Sequence, residues 1–132
     1  MKGRKPVLTA IEGGLSKAPP APKWLPEEAR AVWRRIWPGL RDRRTVTRED
    51  LPTVEAYCLA VGTITRMQAT IATEGDTIET NAGPKRHPAF QTLFQALTES
   101  RRLAAELGLT PAARNKAKGS EPVDDDLADL DL

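Results

Sequence analysis

The sequence predicts an all-α fold: a small helical bundle built on a long antiparallel helical hairpin, with a short extended loop or hairpin and disordered N- and C-terminal tails. Three observations predict it. Apolar residues recur at helical spacing in three separate segments. Pro and Gly punctuate the chain between those segments. Only one stretch, GDTIETNAGPKRHP, favours extended structure.

Residues 1–23 read as a flexible basic arm ending in the Pro-rich linker APPAPK. The helical core and oligomerisation domain is expected over 24–118. The first helix is PEEARAVWRRIW, about 26–37. Pro26 suits the first helical position, and Glu27 and Glu28 complement the helix dipole. Ala29, Val32, Trp33, Ile36, Trp37 and Leu40 form its apolar face, and Pro38-Gly39 is expected to end it. Trp24 is placed to staple the helix start.

After the polar connection RDRRTVTRED, either Thr47 or Asp50 can cap the second helix. Asp50 is preferred, because Pro52 then falls in the first turn. This helix runs to about Glu74 and stops at Gly75, a length of about 35 Å. Val54, Tyr57, Cys58, Val61, Ile64, Met67 and Ile71 follow its period, and Arg66 is the only charge between Glu55 and Glu74. So bland a surface is suited to burial against more than one neighbour. Thr77, Ile78 and Thr80 then favour a short extended piece, and Asn-Ala-Gly-Pro is turn chemistry. The third helix is expected over 88–107, with Phe90, Leu93, Phe94, Leu97, Ala104 and Leu107 on one face and Gly108 at its end. Thr110-Pro111 opens a short fourth helix. Residues 119–132, GSEPVDDDLADLDL, form an acidic tail expected to be disordered on its own.

Charge alternates along the chain. Residues 1–48 hold 12 Lys/Arg against 4 Asp/Glu, residues 49–84 hold 1 against 6, residues 85–119 hold 7 against 2, and residues 120–132 hold 0 against 6. The basic blocks suggest a polyanion partner, and the acidic end a separate role. The single cysteine, Cys58, excludes an internal disulfide and, with one histidine, a zinc site. No apolar run is long enough to span a membrane, and no apolar run follows the N-terminal charges as in a signal peptide. A phosphate-binding glycine loop with Lys-Ser/Thr is missing, and His87 has no evident nucleophile partner. These points argue against an enzyme and imply no cofactor.

The candidate DNA contacts are the tip Lys2, Arg4 and Lys5, which resembles a minor-groove arm, and the set Arg30, Arg34, Arg35, Arg41, Arg43 and Arg44. The alternative is a solvated helix face supported by Glu27 and Glu28. Arg48, Lys85 and Arg86 extend the basic surface. The link between the first two helices is too long for an ordinary helix-turn-helix. Trp33 and Trp37 lie on the apolar stripe and read as core rather than as base-stacking platforms. In the tail, Leu127, Leu130 and Leu132 are spaced among Asp124, Asp125, Asp126 and later aspartates, as in a peptide that docks on a basic groove.

GRKPVLTA, PPAPKWLPEEARAVWRRIWPGL, DLPTVEAYCLA, TIETNAGPKRHPAF and RRLAAELGLTPAAR, in that order over about residues 2–117, resemble the phage terminase small subunit family. The last of these, with HPAF upstream, is the most specific part. The resemblance implies a non-catalytic protein that binds double-stranded viral DNA, assembles as a homo-oligomeric ring, and delivers DNA to the large terminase subunit in the cytoplasm of the infected host. It implies that the second and third helices supply the subunit contacts, through Val54, Tyr57, Val61, Ile64, Met67, Ile71, Phe90, Leu93, Phe94 and Leu97. The tail residues Asp124, Asp125, Asp126, Leu127, Leu130 and Leu132 would then reach the large subunit. Two other readings fit the charge pattern: a protein–protein scaffold with no DNA role, and a DNA-binding transcriptional regulator.

Overall fold

The computed structural model describes residues 11–117. The tip Lys2, Arg4 and Lys5, and the tail with Asp124, Asp125, Asp126, Leu127, Leu130 and Leu132, lie outside the described residues. The fold is mostly helical, with one small sheet: α1 (Glu27–Arg43), α2 (Leu51–Glu74), β1 (Thr77–Thr80), β2 (Gly83–Arg86), α3 (Ala89–Glu106) and the short α4 (Pro111–Ala117). A single turn of 3₁₀ helix, Arg48–Asp50, leads into α2.

Helix α1 begins one residue later than its sequence predicts, with Pro26 at the N-cap (ψ 162°) and Glu27 and Glu28 in the first turn, and it does not stop at Pro38-Gly39. Pro38 offers no N–H to the Arg34 carbonyl, normally a severe cost inside a helix. Here both residues are exposed, so water can serve that carbonyl. The stripe Ala29, Val32, Trp33, Trp37 and Leu40 stays buried straight through the interruption, and that burial carries the helix past the proline. Termination comes at Arg44, which adopts φ 54° and ψ 43° and donates its backbone N–H to the Leu40 carbonyl at 2.9 Å.

The segment before α1 has no regular structure, with turns at Glu12-Gly13 and at Lys23-Trp24, and it is held along the bundle rather than hanging free. Ile11 N–H donates to the Arg44 carbonyl at 3.1 Å, and Leu15 N–H to that of Val46 at 2.8 Å. Gly14 sits where a Cβ would lie 1.9 Å from the Arg44 carbonyl oxygen, so the contact requires glycine. Farther on, Trp33 Nε1 donates to the Pro19 carbonyl at 3.0 Å. Leu25 is buried at the entry to α1, while Trp24, expected as the staple, is 59% exposed. Leucine won because the chain turns at Leu25, whose N–H donates to the Pro22 carbonyl.

Asp50, expected to cap α2, stands at the N-cap position but makes no side-chain capping bond to that helix; its carboxylate turns back to Thr47 across the preceding turn. The Asp50 carboxylate accepts from the Thr47 backbone N–H at 2.9 Å and from its hydroxyl at 3.1 Å. Helix α2 then runs to Gly75, whose N–H donates to the Ile71 carbonyl. Only Val54, Cys58 and Gly62 are buried along it, one per turn and all in its first half. A Cβ on Gly62 would lie 2.7 Å from the Ala29 backbone nitrogen, so α1 and α2 meet there backbone to backbone.

Strands β1 and β2 pair antiparallel, Thr77 opposite Arg86 and Thr80 opposite Gly83, around the turn at Asn81-Ala82. The Thr80 hydroxyl donates to the Gly83 carbonyl at 2.7 Å and accepts from Ala82 N–H. His87 follows, buried, and joins three elements. Its N–H donates to the Asp76 carbonyl, its Nδ1 accepts from Ala89 N–H at 3.0 Å, and its Nε2 lies 2.7 Å from Glu74 Oε1. These partners assign the proton to Nε2.

Helix α3 occupies the expected span, but its buried face is not the expected one. Ala89, Leu93, Ala96, Ser100 and Leu103 are buried, while Phe94 and Leu97 are exposed and Phe90 is half-buried. Small residues let α3 lie close to α2, and the large rings turn outward. Gly108 (φ 70°) ends the helix, with Leu109 N–H reaching the Ala104 carbonyl. Thr110 caps α4 as its sequence predicts, its hydroxyl accepting from Ala113 N–H at 3.1 Å. The main core joins Leu25, Ala29, Val32, Trp33, Trp37, Leu40, Val46, Val54, Cys58 and Leu107, so the end of α3 returns to the first turns of α2.

Candidate nucleic-acid interface

The arginines of α1 separate into distinct settings. Arg30, Arg34 and Arg41, spaced by four and seven residues, fall on one stripe of the helix. Arg30 is committed to local structure: its guanidinium donates to the Leu25 carbonyl at 2.6 Å and pairs with Glu27 at 3.0 Å. Arg34 also reaches Glu27, at 3.4 Å. Hydrogen bonds from Arg30, then from Arg34, hold the Glu27 carboxyl below the usual carboxylate range. The pairs are exposed and contribute little to stability. Arg41 is exposed beside Asp42. Arg34 and Arg41 flank a shallow groove of about 360 Å³ floored by Trp33, Trp37 and Pro38 and walled by Pro19 and Pro20.

Arg35 is exposed on another flank of α1. Arg43 folds back over Gly39 and is partly shielded, its charge disfavoured first by burial and then by Arg114. Arg44 is exposed at the left-handed end of the helix. The structure therefore brings Arg34 and Arg41 to one groove, gathers Arg43 and Arg44 at the far end of α1, and leaves Arg35 apart. The sequence alone does not single out Arg114. Its signal is available in the basic helix TPAARNKAK, but its nearness to the like charge of Arg43 is set by the tertiary fold.

The candidate assembly residues also divide. Val54 and Leu93 are buried within the chain. Tyr57 and Val61 pack, half-buried, against the core. Ile64, Met67, Ile71 and Phe90 are half-buried outside that cluster, and Phe94 and Leu97 are 49% and 36% exposed. These six lie toward the β-hairpin end of α2 and α3. Arg86 extends over both rings of Phe90 and Phe94, 5.6 Å from each centroid.

Among the described residues, no group of His, Cys, Asp and Glu is placed to hold a metal ion. No described helix is long and apolar enough to cross a membrane. Cys58 is fully buried, and burial pushes its thiol up to about 12, so it is not a ready nucleophile.

The family model for phage terminase small subunits matches residues 29–123, from the first turn of α1 to beyond α4. The chain belongs to that family. The family ties it to phage DNA packaging. No curated protein and no solved structure matched the chain.

Proposed function

We propose that this terminase small subunit is a non-catalytic packaging adaptor. In this reading it binds double-stranded DNA, assembles as a homo-oligomeric ring, and delivers DNA to the large subunit in the cytoplasm of the infected host. The observation that carries the reading is the family match across the four described α-helices. Lys2, Arg4 and Lys5 would meet the duplex together with Arg34, Arg35, Arg41, Arg43 and Arg44, while Arg30 mainly braces the entry to α1. Helices α2 and α3, read as an antiparallel hairpin, would supply the subunit contacts through Ile64, Met67, Ile71, Phe90, Phe94 and Leu97. Asp124, Asp125, Asp126, Leu127, Leu130 and Leu132 would engage the large subunit. Repetition around a ring raises the avidity of a weak single site, by about 10²–10⁴.

Light scattering with and without duplex DNA, at two salt concentrations, tests this directly. The expected result is a discrete multi-subunit species whose DNA affinity falls linearly with salt on a log–log plot. A monomer that ignores DNA overturns it. The double variant Arg34→Glu, Arg35→Glu is expected to weaken DNA binding at least about tenfold, through lost phosphate contacts, with helix content unchanged by circular dichroism. Unchanged affinity would remove Arg34 and Arg35 from the DNA surface.

A further inference from the structure

Between the α1–α2 connection and the α3–α4 connection lies a half-open cavity of about 430 Å³. Ile11, Val46, Leu107 and Ala113 give it apolar walls. Arg44 directly precedes its lining residue Thr45, Arg48 lies between Val46 and Asp50, and Arg114 follows Ala113. Arg43 adjoins them through its proximity to Arg114. Among the described residues, none of these four arginines has a carboxylate at ion-pair distance. The two carboxylates that line the cavity are engaged elsewhere, Asp50 with Thr47 and Glu106 with Arg102 at 2.7 Å. Arg43 Nε and Thr45 Oγ1 are buried with no hydrogen-bond partner among the described residues. Arg114 reaches the lining itself, donating to the Gly108 carbonyl at 3.4 Å, while Arg43, Arg44 and Arg48 adjoin it along the chain. Cations beside a hollow of mixed apolar and polar walls call for a ligand that carries negative charge on an apolar frame.

Residues 120–132 have that composition: Glu121, Asp124, Asp125, Asp126, Asp129 and Asp131 with no cation, interleaved with Val123, Leu127, Leu130 and Leu132. A phosphate backbone would satisfy the arginines but not fill the hollow. The tail is also tethered nearby. Helix α4 ends at Ala117, three residues past Arg114, and Asp124 lies seven residues farther on, a reach of at most about 25 Å. A short tether of this kind gives a local concentration on the order of millimolar.

We propose that segment 120–132 docks on this cavity of its own chain, its aspartates against Arg43, Arg44, Arg48 and Arg114 and a leucine in the hollow. Docking covers arginines that the DNA-binding reading needs, so tail and duplex compete; that consequence alone rests on the proposed function. Engagement of the tail by the large subunit would uncover the arginines.

The test needs no DNA. The full chain with Leu130→Cys is labelled with benzophenone maleimide, Cys58 being buried, and photolysed. Crosslinks are mapped by mass spectrometry in a mixture with a heavy-isotope copy. The expected products join the tail to segments 43–48 and 105–114 of the same chain. Their yield should fall about tenfold in the variant Asp124→Asn, Asp125→Asn, Asp126→Asn, which leaves the folded body untouched. Crosslinks to other segments, crosslinks only to another copy, or a yield indifferent to neutralisation would each overturn the proposal.

Discussion

At the scale of single residues, Gly62 and Cys58 govern the contact between α1 and α2. Gly62 was not singled out from its sequence context, because a mid-helix glycine in an apolar run has no local cause. Its cause is the Ala29 backbone, 2.7 Å from where a Cβ would stand. Gly62→Ala should therefore destabilise the protein by about 1–3 kcal/mol despite alanine's better helix propensity. Thermal unfolding checks this, and an unchanged or raised Tm would show that the helices can part without cost. Cys58 makes a prediction about pH. Burial favours its neutral thiol, raised from about 9.0 unfolded to about 12 folded. Between those values the unfolded chain has lost a proton that the folded chain keeps, so this contribution is complete below pH 9 and declines as pH rises toward 12. Denaturant titrations at pH 8 and pH 10 should show lower stability at pH 10, and Cys58→Ala should flatten that difference.

At the scale of elements, local chemistry was legible wherever it acts locally. Gly75 after α2, Gly108 after α3 and Thr110-Pro111 before α4 all sit where capping preferences put them, whereas Asp50 before α2 spends its carboxylate on Thr47. What was not legible depended on a partner. The large apolar residues of α3 defined the expected face, yet Ala89, Ala96 and Ser100 share the buried one, because close approach to α2 rewards small side chains. Pro38 reads as a stop because the sequence shows the missing donor but not the solvent beside Arg34 or the burial of Trp37 and Leu40. The candidate arginines were legible as a basic set, but their division between the Pro19–Pro20 groove and the Arg114 end of α1 was not. Pro38→Ala restores a donor to the Arg34 carbonyl, so α1 should gain about 1–3 kcal/mol. A lower Tm would mean instead that the proline ring is needed in the groove it lines with Trp33 and Trp37.

At the scale of the whole molecule, the two ends of the bundle differ. Around Leu25, Trp37 and Val54 the chain buries its own apolar groups. Toward the β-hairpin, Ile64, Met67, Ile71, Phe90, Phe94 and Leu97 remain partly or largely uncovered. A ring would cover them. The double variant Met67→Glu, Phe94→Glu is therefore expected to reduce the solution mass to the 14.5 kDa of one chain while keeping helix content. A mass unaffected by both charges would place the subunit contact on another face.

The seating of Ile11 and Gly14 on the end of α1 also sets a leash. Had the whole of residues 1–23 been a free arm, the cations at positions 2, 4 and 5 would sweep a wide volume. Anchored at Ile11, Lys2, Arg4 and Lys5 sit six to nine residues from the Arg44 carbonyl, a span of at most about 32 Å. One turn of duplex is about 34 Å. In the proposed ring, each subunit's tip would thus probe no more than roughly a single helical turn from its own anchor, and any longer DNA footprint would come from adding subunits rather than from stretching arms.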